Sequence, residues 1–229
     1  MTKVLVDGDI VAYRAAYFGE GKSDEDTWDK ADDVLEFIFE NTMFSAEGTN
    51  YEVYLTGKGN FRHDINPEYK ANRRGKEKPE YLQSARDYLV EVYGATIIDG
   101  QEADDAIAIR ATELGPEAVI ASVDKDFLQV PCKHYNFGRG EWAEVTPPEG
   151  LLFFYTQVLT GDTADNVIGL KGIGPVKAGK IMDGAEDENE MFRRCVEAYD
   201  GDIERVIKNA QLLWLRREED QIWQPPEAD

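Results

Sequence analysis

The sequence predicts an α/β fold, in which a parallel sheet flanked by helices is followed by a helical region. Three observations predict it. Short apolar segments alternate with helical segments through the first half of the chain, which is the pattern of parallel strands connected by helices. Several of the apolar segments are followed closely by carboxylates. After Pro131 the pattern changes to a hairpin, then to helices and glycine-rich turns.

The elements of the sheet region are justified by their periodicity and by their stop signals. The apolar run 3–6 ends in Asp7-Gly8-Asp9, as a buried strand ended by a turn does. Gly94 ends a helical stretch, because glycine adopts the left-handed conformation that closes many helices. We expect strands at 3–6, 51–56, 95–98 and 118–123, helices at 10–18, 33–44, 79–93 and 102–114, and a hairpin of 134–137 with 141–145.

The second part of the chain reads as helical. We expect a helix at 151–159, short helices around tight turns at 161–180, an exposed loop at 183–190, a helix at 191–217 broken near Gly201, and a frayed acidic tail at 218–229. The predicted organisation is an α/β domain at 1–150, which includes a basic segment at 58–80, and a helical region at 151–229, together in one compact unit.

Length and composition exclude several classes of protein. A chain of 229 residues with 42% hydrophobic residues forms a core without disulfides. No apolar run reaches the ~20 residues of a membrane span, and the N-terminus lacks the apolar region of a signal peptide, so we expect a cytoplasmic protein without a membrane partner. Two cysteines and two histidines exclude a cysteine zinc cluster and a three-histidine zinc site.

The charge of the chain is unevenly distributed. There are 46 acidic and 25 basic residues, which gives a net charge of −21 and argues against nucleic acid as a partner. Local charge sets the field that a ligand meets, however. Segment 58–78 carries seven basic and three acidic residues, and segment 166–182 carries three lysines and no carboxylate. Two basic islands indicate a polyanionic partner; two solvated loops are the alternative.

Carboxylates collect where predicted strands end. The carboxyl ends of parallel strands meet at one edge of a sheet, where ligands bind. Helix N-terminal charge or turn formation explains any one group of these acids, but six like charges at one edge need a cation. Oxygen ligands select Mg²⁺ or Mn²⁺, and two ions roughly 4 Å apart suit phosphodiester cleavage. The six are Asp7, Glu102, Asp104, Asp105, Asp124 and Asp126.

A glycine-rich segment later in the chain suits a phosphate. Gly172-Ile173-Gly174 forms a predicted tight turn before a helix that starts at Pro175. Glycines let a backbone approach a phosphate, and the amides at the start of a helix then bind it. A lysine stands on each side of the turn, and the preceding residues add two aspartates to the candidate metal ligands: Asp162 and Asp165.

In their order along the chain these motifs resemble the 5′ nuclease family, which includes the 5′ nuclease domain of bacterial DNA polymerase I, phage 5′→3′ exonucleases and flap endonucleases. The resemblance covers residues 4 to about 182. It implies a PIN-like sheet and a helix-three-turn-helix element at 161–182 that binds DNA. The matching motifs are Leu5-Val6-Asp7-Gly8, Phe61-Arg62-His63, Tyr69-Lys70-Ala71-Asn72-Arg73, Glu102-Ala103-Asp104-Asp105, Asp124-Lys125-Asp126, Gly161-Asp162 with Ala164-Asp165-Asn166, and Gly169 to Ala178.

The resemblance also implies roles for individual residues. Lys70 and Arg73 would be catalytic, gripping the scissile phosphate and the 5′ terminus. Two Mg²⁺ or Mn²⁺ ions are expected in the acidic cluster, and a K⁺ ion at the helix-three-turn-helix element. The first divalent ion would be held by Asp7, Glu102 and Asp104, and the second by Asp124, Asp126 and Asp165, with Asp105 and Asp162 completing the cluster. The residues expected to contact DNA are Arg14, Arg62, Arg74, Lys171, Gly172, Gly174 and Lys177.

One departure from the family concerns the second strand. It usually ends in an aspartate that supports the first ion, whereas here it ends in Thr56-Gly57. Either Thr56 or Asp9 compensates for the aspartate, or nothing does and the first-ion site is weaker; Asp9 also suits a turn that caps the next helix. The function that the resemblance implies is a two-metal 5′ nuclease acting on DNA at 5′ ends, nicks or flaps, with replication proteins as partners. The alternatives are a binder of branched DNA with reduced catalysis and a PIN-type RNase.

Overall fold

The computed structural model describes residues 2–18, 23–42 and 50–227. In chain order its elements are β1 (Lys3–Asp7), α1 (Gly8–Phe18), α2 (Asp24–Thr42), β2 (Tyr51–Thr56), α3 (Arg62–Ile65), α4 (Leu82–Tyr93), β3 (Thr96–Ile98), α5 (Ala103–Leu114), β4 (Ala118–Ala121), β5 (Lys133–Asn136), β6 (Glu141–Glu144), α6 (Pro147–Thr160), β7 (Gly161–Asp162), β8 (Val167–Ile168), α7 (Pro175–Met182), α8 (Glu188–Ala198) and α9 (Ile203–Leu213), with short 3-10 turns at Ala71–Arg73, Gly115–Glu117 and Lys125–Gln129.

The chain divides into two compact units. The first combines Met1–Asn60 with Lys76–Val145, and the second combines Phe61–Gly75 with Thr146–Asp229. We expected the basic segment 58–80 inside the first domain, but most of it groups with the helical region. The reason is a set of contacts within the second unit, such as the bond from the backbone N–H of Lys70 to the carbonyl of Asp165 at 2.9 Å.

A six-stranded sheet forms the centre of the first unit. Its strand order is β3-β2-β1-β4-β5-β6. The first five strands run parallel, and β6 pairs antiparallel with β5. This arrangement confirms both the predicted parallel sheet and the predicted hairpin. Because β1 and β4 are neighbours, the carboxyl ends of the first and fourth strands lie side by side.

The two faces of the sheet are covered by different helices. Side chains alternate along a strand, so Val4 and Val6 point to one face and Leu5 to the other. The first face packs against α1, α2 and α4 in a buried apolar core. Helix α5 packs on β1, β2 and β4 and buries Ile107 completely. Coverage of both faces explains why β1 reads as a continuous apolar run.

Helix α2 begins nine residues earlier than predicted, at Asp24. The prediction of 33–44 followed the apolar residues alone. The hydroxyl of Ser23 accepts from the N–H of Asp26 at 3.1 Å, which satisfies an amide of the first turn. Its first turn carries three acids, which complement the positive end of the helix. The predicted end at 43–44 falls outside the described residues.

The second unit is built from α3 and α6 to α9 around a separate core that includes Phe154, Tyr155 and Val206. The predicted break near Gly201 is confirmed, since α8 ends at Ala198 and α9 begins at Ile203. The predicted loop at 183–190 extends only to Asp187, which caps α8 by accepting from the N–H of Glu190 at 2.8 Å.

Two further predictions for the second unit are wrong. Residues 161–168 contain the antiparallel ribbon β7–β8 rather than helices. The tail from 218 is not frayed where it is described: Trp223 is 5% exposed, and its ring lies 5.8 Å from that of Phe154. Aromatic burial therefore anchors the chain after α9. Within the described residues, no helix is both long and apolar enough to cross a membrane.

Candidate active site

Asp7 is a buried carboxylate at the carboxyl edge of the sheet, with 2% exposure. One of its oxygens, Oδ1, accepts from the N–H of Ile10 at 3.2 Å, and Oδ2 accepts from the hydroxyl of Ser122 at 2.7 Å. Burial, with smaller contributions from the charges of Asp9 and Asp124, raises the pKa of Asp7 to about 7 against the lowering effect of the two hydrogen bonds. Three carboxylates from two strand ends therefore share one electrostatic environment.

Ser122 connects Asp7 to the end of the fourth strand. Its hydroxyl oxygen also accepts from the N–H of Asp124 at 3.0 Å. Asp124 in turn accepts from the N–H of Asp126 at 2.9 Å through Oδ1 and caps the 3-10 turn Lys125–Gln129. Asp126 lies 3.1 Å from the ammonium group of Lys125. The predicted pair of aspartates is thus held on a capped turn beside Asp7.

The third acidic group opens α5. Glu102 and Asp105 form a capping box, in which each side chain accepts from the backbone N–H of the other. Asp105 is completely buried, whereas Glu102 and Asp104 are partly exposed. Asp105 therefore stabilises the start of the helix, and the roles of Glu102, Asp104 and Asp105 as metal ligands stay predictions.

Thr56 and Asp9, the two residues left to compensate for the absent strand-end aspartate, bond to each other. The N–H of Thr56 donates to Asp9 Oδ2 at 2.9 Å, and Arg86 from α4 forms an ion pair with Asp9 Oδ1. Arg86 also donates to the carbonyl of Thr56. Both oxygens of Asp9 thus accept from protein donors.

The donor set suits a hard divalent cation, because the candidate ligands at this edge are carboxylates, which bind through oxygen. In the part of the chain that the structure describes, however, no group of three or more His, Cys, Asp or Glu side chains is placed to hold a metal ion. The chemistry of the donors therefore fits Mg²⁺ or Mn²⁺, and the assignment of individual ligands stays a prediction.

Asp165 is the centre of a charged cluster within the second unit. Its carboxylate accepts from the hydroxyl of Tyr69 at 2.8 Å and from Arg73 Nη2 at 2.7 Å. The ammonium group of Lys70 lies 3.6 Å from Oδ2. Lys70 has a φ of 54°, a left-handed conformation that is costly for a residue with a side chain and is concentrated at functional sites. The two predicted catalytic cations are thus brought together on one predicted metal ligand.

Asp162 is held by a local turn. Its side chain is largely buried, with the residue 8% exposed, and Oδ1 accepts from the N–H of Ala164 at 2.6 Å. This bond fixes the Gly161–Asn166 loop that carries Asp165. The turn is formed by β7 and β8, and Gly161 is required there because a Cβ at this position would lie 2.3 Å from the backbone nitrogen of Gly169.

The prediction that Arg62 contacts DNA is corrected by the structure. Arg62 is 1% exposed. Its Nε donates to the carbonyl of Leu212 at 2.9 Å and its Nη2 to the carbonyl of Trp214 at 2.7 Å, while its guanidinium lies over the ring of Phe61. These hydrogen bonds satisfy two backbone carbonyls at the end of α9, so the buried side chain of Arg62 connects α3 to α9. The sequence analysis missed this role because Arg62 lies in the basic segment 58–80, where an arginine suggests contact with a polyanion.

The other predicted DNA-contacting arginines reach the surface. Arg74 is 62% exposed in its side chain, lies 3.7 Å from Glu68 and donates to the carbonyl of Pro67. Arg14 is partly exposed on α1, and its guanidinium lies 5.8 Å from the ring centre of Phe137. Their contact with DNA stays a prediction.

The glycine–lysine element forms the predicted turn before α7, which begins at Pro175 as expected. Gly172 has a φ of 77°, a conformation that favours glycine. Lys177 reaches back to the carbonyl of Gly172 at 2.8 Å and rigidifies the turn. The predicted contact residues at this turn are exposed: Lys171, Gly172, Gly174 and Lys177.

The sequence analysis assigned no role to three polar side chains of these sites: Ser122, Tyr69 and Arg86. Ser122 carried a weak signal, as a hydroxyl at the end of an apolar strand and two residues before Asp124. Tyr69 stood in a matching motif but without a role of its own. Arg86 carried no signal, because a single arginine in a helix looks like a solvated surface residue.

Comparison with known proteins places the chain in a family. Residues 2–148 match the family described as "5′-3′ exonuclease, N-terminal resolvase-like domain". The chain therefore belongs to the 5′-3′ exonuclease family, as the order of its motifs predicted.

Curated relatives share part of their length with this chain. DNA polymerase I of Rhizobium leguminosarum is 32% identical over 172 residues, which is 67% of this chain and 16% of the polymerase. Flap endonuclease Xni of Shewanella baltica (strain OS155 / ATCC BAA-1091) is 28% identical over 136 residues, 53% of this chain and 52% of Xni. The chain thus spans about half or less of the length of these two relatives.

Solved structures with a similar fold include the bacteriophage T5 D15 flap endonuclease in a pseudo-enzyme-product complex with DNA and metal ions. It has a TM-score of 0.72 and 18% identity, with 93% of this chain and 89% of that chain covered. The catalytic core of Rad2 with a DNA substrate has a TM-score of 0.53 and 15% identity, covering 98% and 83%. At these identities the likeness establishes the fold.

Proposed function

We propose that the chain is a divalent-metal-dependent 5′ nuclease that hydrolyses phosphodiester bonds of DNA at 5′ ends, nicks or flaps. The observation that carries the proposal is the collection of carboxylates at the carboxyl edge of a parallel sheet in a member of the 5′-3′ exonuclease family. Relatives named flap endonuclease and a similar fold crystallised with DNA and metal ions support it.

The residues of the first unit that would hold the cations are Asp7, Glu102, Asp104, Asp124 and Asp126, with Asp105 completing the cluster. Bound Mg²⁺ or Mn²⁺ would supply Lewis-acid stabilisation of charge on the attacking and leaving oxygens of an in-line displacement. Asp7 must lose its proton to serve as a ligand, and its raised pKa places that ionisation near neutral pH. The roles of Asp162 and Asp165 as ligands stay predictions.

The second unit would bind the nucleic acid. Lys70 and Arg73 would stabilise charge on the non-bridging phosphate oxygens. The exposed turn with Lys171 and Lys177 would hold the backbone of duplex DNA, and the resemblance implies a K⁺ ion there. These groups would contact phosphates and would not distinguish one base from another. Recognition would therefore depend on the structure of the DNA rather than on its sequence.

The test is cleavage of 5′-labelled single-stranded, duplex, nicked and flap DNA, and of matching RNA, with Mg²⁺ or with chelator. We expect Mg²⁺-dependent products from nicked or flap DNA. Asp124→Asn and Asp126→Asn should abolish cleavage and leave DNA binding largely intact, because each removes a charge from the acidic edge. Asp33→Asn is the matched control, since its side chain is 62% exposed on α2.

Other outcomes select the alternatives. Tight binding of branched DNA without cleavage by the unmodified chain would replace the proposal with a branched-DNA binder. Cleavage confined to RNA would replace it with a PIN-type RNase. Full turnover by Asp124→Asn at saturating Mg²⁺ would overturn the assignment of the second metal site.

A further inference from the structure

Thr56 makes a contact that links two parts of the first unit. Its side-chain oxygen, Oγ1, accepts from the N–H of Ala103 at 2.9 Å. Ala103 is the first residue of α5, and the first amides of a helix have no partner inside the helix. A residue at the end of the second strand therefore caps the helix whose first turn carries Glu102 and Asp104.

The backbone of Thr56 is fixed on both sides. Its N–H donates to Asp9 Oδ2 at 2.9 Å, and its carbonyl accepts from Arg86, which also pairs with Asp9. The side chains of Asp9 and Arg86 are 24% and 18% exposed. A partly buried guanidinium that bonds two different acceptors at once gives a directional constraint that a lysine would not supply.

We infer that Thr56 is a positioning residue, anchored by Asp9 and Arg86, that sets the start of α5 and thereby the placement of Glu102 and Asp104 at the acidic edge. At the position where a metal-supporting aspartate was expected, this chain orients the carboxylates of a neighbouring element instead. Loss of a hydrogen bond that orients a metal ligand, without itself contacting the metal, typically changes metal affinity by about 10–100-fold. The expected effect of Thr56 on metal binding rests on the proposed function. Its expected effect on the start of α5 rests on geometry alone.

The test compares Thr56→Val, which keeps the shape but removes the acceptor, with Thr56→Ser, which keeps an acceptor. Thr112→Val is the matched control, because Thr112 lies on the same helix and donates only within it, to the carbonyl of Ala108 at 2.8 Å. The measurements on the full chain are amide exchange at Ala103, calorimetric binding of Mn²⁺ without DNA, and single-turnover cleavage as a function of Mg²⁺.

We expect Thr56→Val to accelerate exchange at Ala103 about tenfold or more and to weaken Mn²⁺ binding by about tenfold or more. The Mg²⁺ requirement for cleavage should rise in parallel, while DNA affinity in chelator stays unchanged. Thr56→Ser should keep the exchange rate at Ala103, the Mn²⁺ affinity and the Mg²⁺ requirement near those of the unmodified chain. Arg86→Gln should show part of the change seen in Thr56→Val.

Unchanged exchange at Ala103 in Thr56→Val would overturn the capping role. Faster exchange with unaltered Mn²⁺ binding would overturn the link to the acidic edge. If the unmodified chain cleaves no substrate but Mn²⁺ binding still follows the pattern above, the proposed function fails and the positioning role stands.

Discussion

Arg73 donates through Nη2 to Asp165 Oδ1 at 2.7 Å, across 92 positions of sequence. Lys70 stands beside this pair, and Tyr69 donates to the second oxygen of the same carboxylate. The predicted phosphate-gripping cations are therefore pre-positioned by an acidic partner. A side chain held in this way loses less conformational freedom when it contacts a phosphate than a mobile surface lysine does.

The first prediction concerns Lys70. If it contacts the reacting phosphate, its charge matters more in the transition state than in the ground state. Lys70→Ala should then lower the single-turnover rate at saturating DNA by about 10²-fold or more, as loss of one electrostatic stabiliser does. Rapid-quench measurement with 5′-labelled flap DNA gives this rate.

Lys76→Ala is the comparison for Lys70, since Lys76 is exposed and lies outside the matching motif. It should raise the apparent dissociation constant and leave the saturated rate nearly unchanged. Equal, small effects of both substitutions would show that the segment is a general electrostatic funnel.

The second prediction concerns Asp7 and pH. Its pKa is raised from 3.8 to about 7 by folding, so the folded state binds the proton more tightly than the unfolded state does. This contribution to stability is fully present below about pH 3.8 and is lost as the pH rises to about 7. Asp7→Asn, which stays neutral, should therefore gain stability over the unmodified chain on the order of 1–4 kcal/mol at pH 8 and little at pH 4.

Urea unfolding in chelator at both pH values measures this difference. Asp64→Asn serves as the control for replacing a surface carboxylate, because Asp64 is exposed. A pH-independent effect of Asp7→Asn would contradict a raised pKa.

The third prediction concerns the turn before α7. Lys171→Ala and Lys177→Ala should weaken duplex binding and reduce its salt dependence, because each lost phosphate contact lowers the slope by about one unit. Binding to single strands should change less. Lys30→Ala removes the same charge from α2, where Lys30 pairs with Asp33, and should leave the slope intact. Identical salt slopes for all three variants would mean that the turn does not face DNA.

The fourth prediction concerns Gly57. A Cβ at this position would lie 2.1 Å from Asp99 Oδ1 and 2.8 Å from the carbonyl of Ile98. Asp99 is held there because its Oδ1 accepts from the N–H of Lys58 at 2.6 Å. Gly57→Ala should therefore reduce the free energy of unfolding by about 1–3 kcal/mol, as measured by denaturant titration.

Gly179→Ala provides the contrast in the same assay. An added Cβ there meets nothing within 4 Å, and the residue lies inside α7, so alanine should stabilise the chain by about 0.5–1 kcal/mol. Equal stability of the two variants would show that the crowded backbone around Gly57 relaxes without cost.

Much of the fold could be predicted because the deciding signals are local. The alternation of apolar strands and amphipathic helices gave the parallel sheet, and turn residues gave the hairpin and the break near Gly201. Strand ends carried the acids, so the edge at which Asp7 and Asp124 meet followed from parallel topology. The start of α2 was missed because its first turns contain few apolar residues and depend on the cap at Ser23.

The sequence by itself determined the family, the order of the motifs and the residue types gathered at the acidic edge and on the basic islands. Only the tertiary structure decided which partner each polar group has: Ser122 for Asp7, Arg86 for Asp9, and the carbonyls of Leu212 and Trp214 for Arg62. Periodicity reports whether a position faces the core, since it reflects local geometry. It does not report which distant group satisfies a buried donor or acceptor, because that choice depends on how elements far apart in sequence pack together.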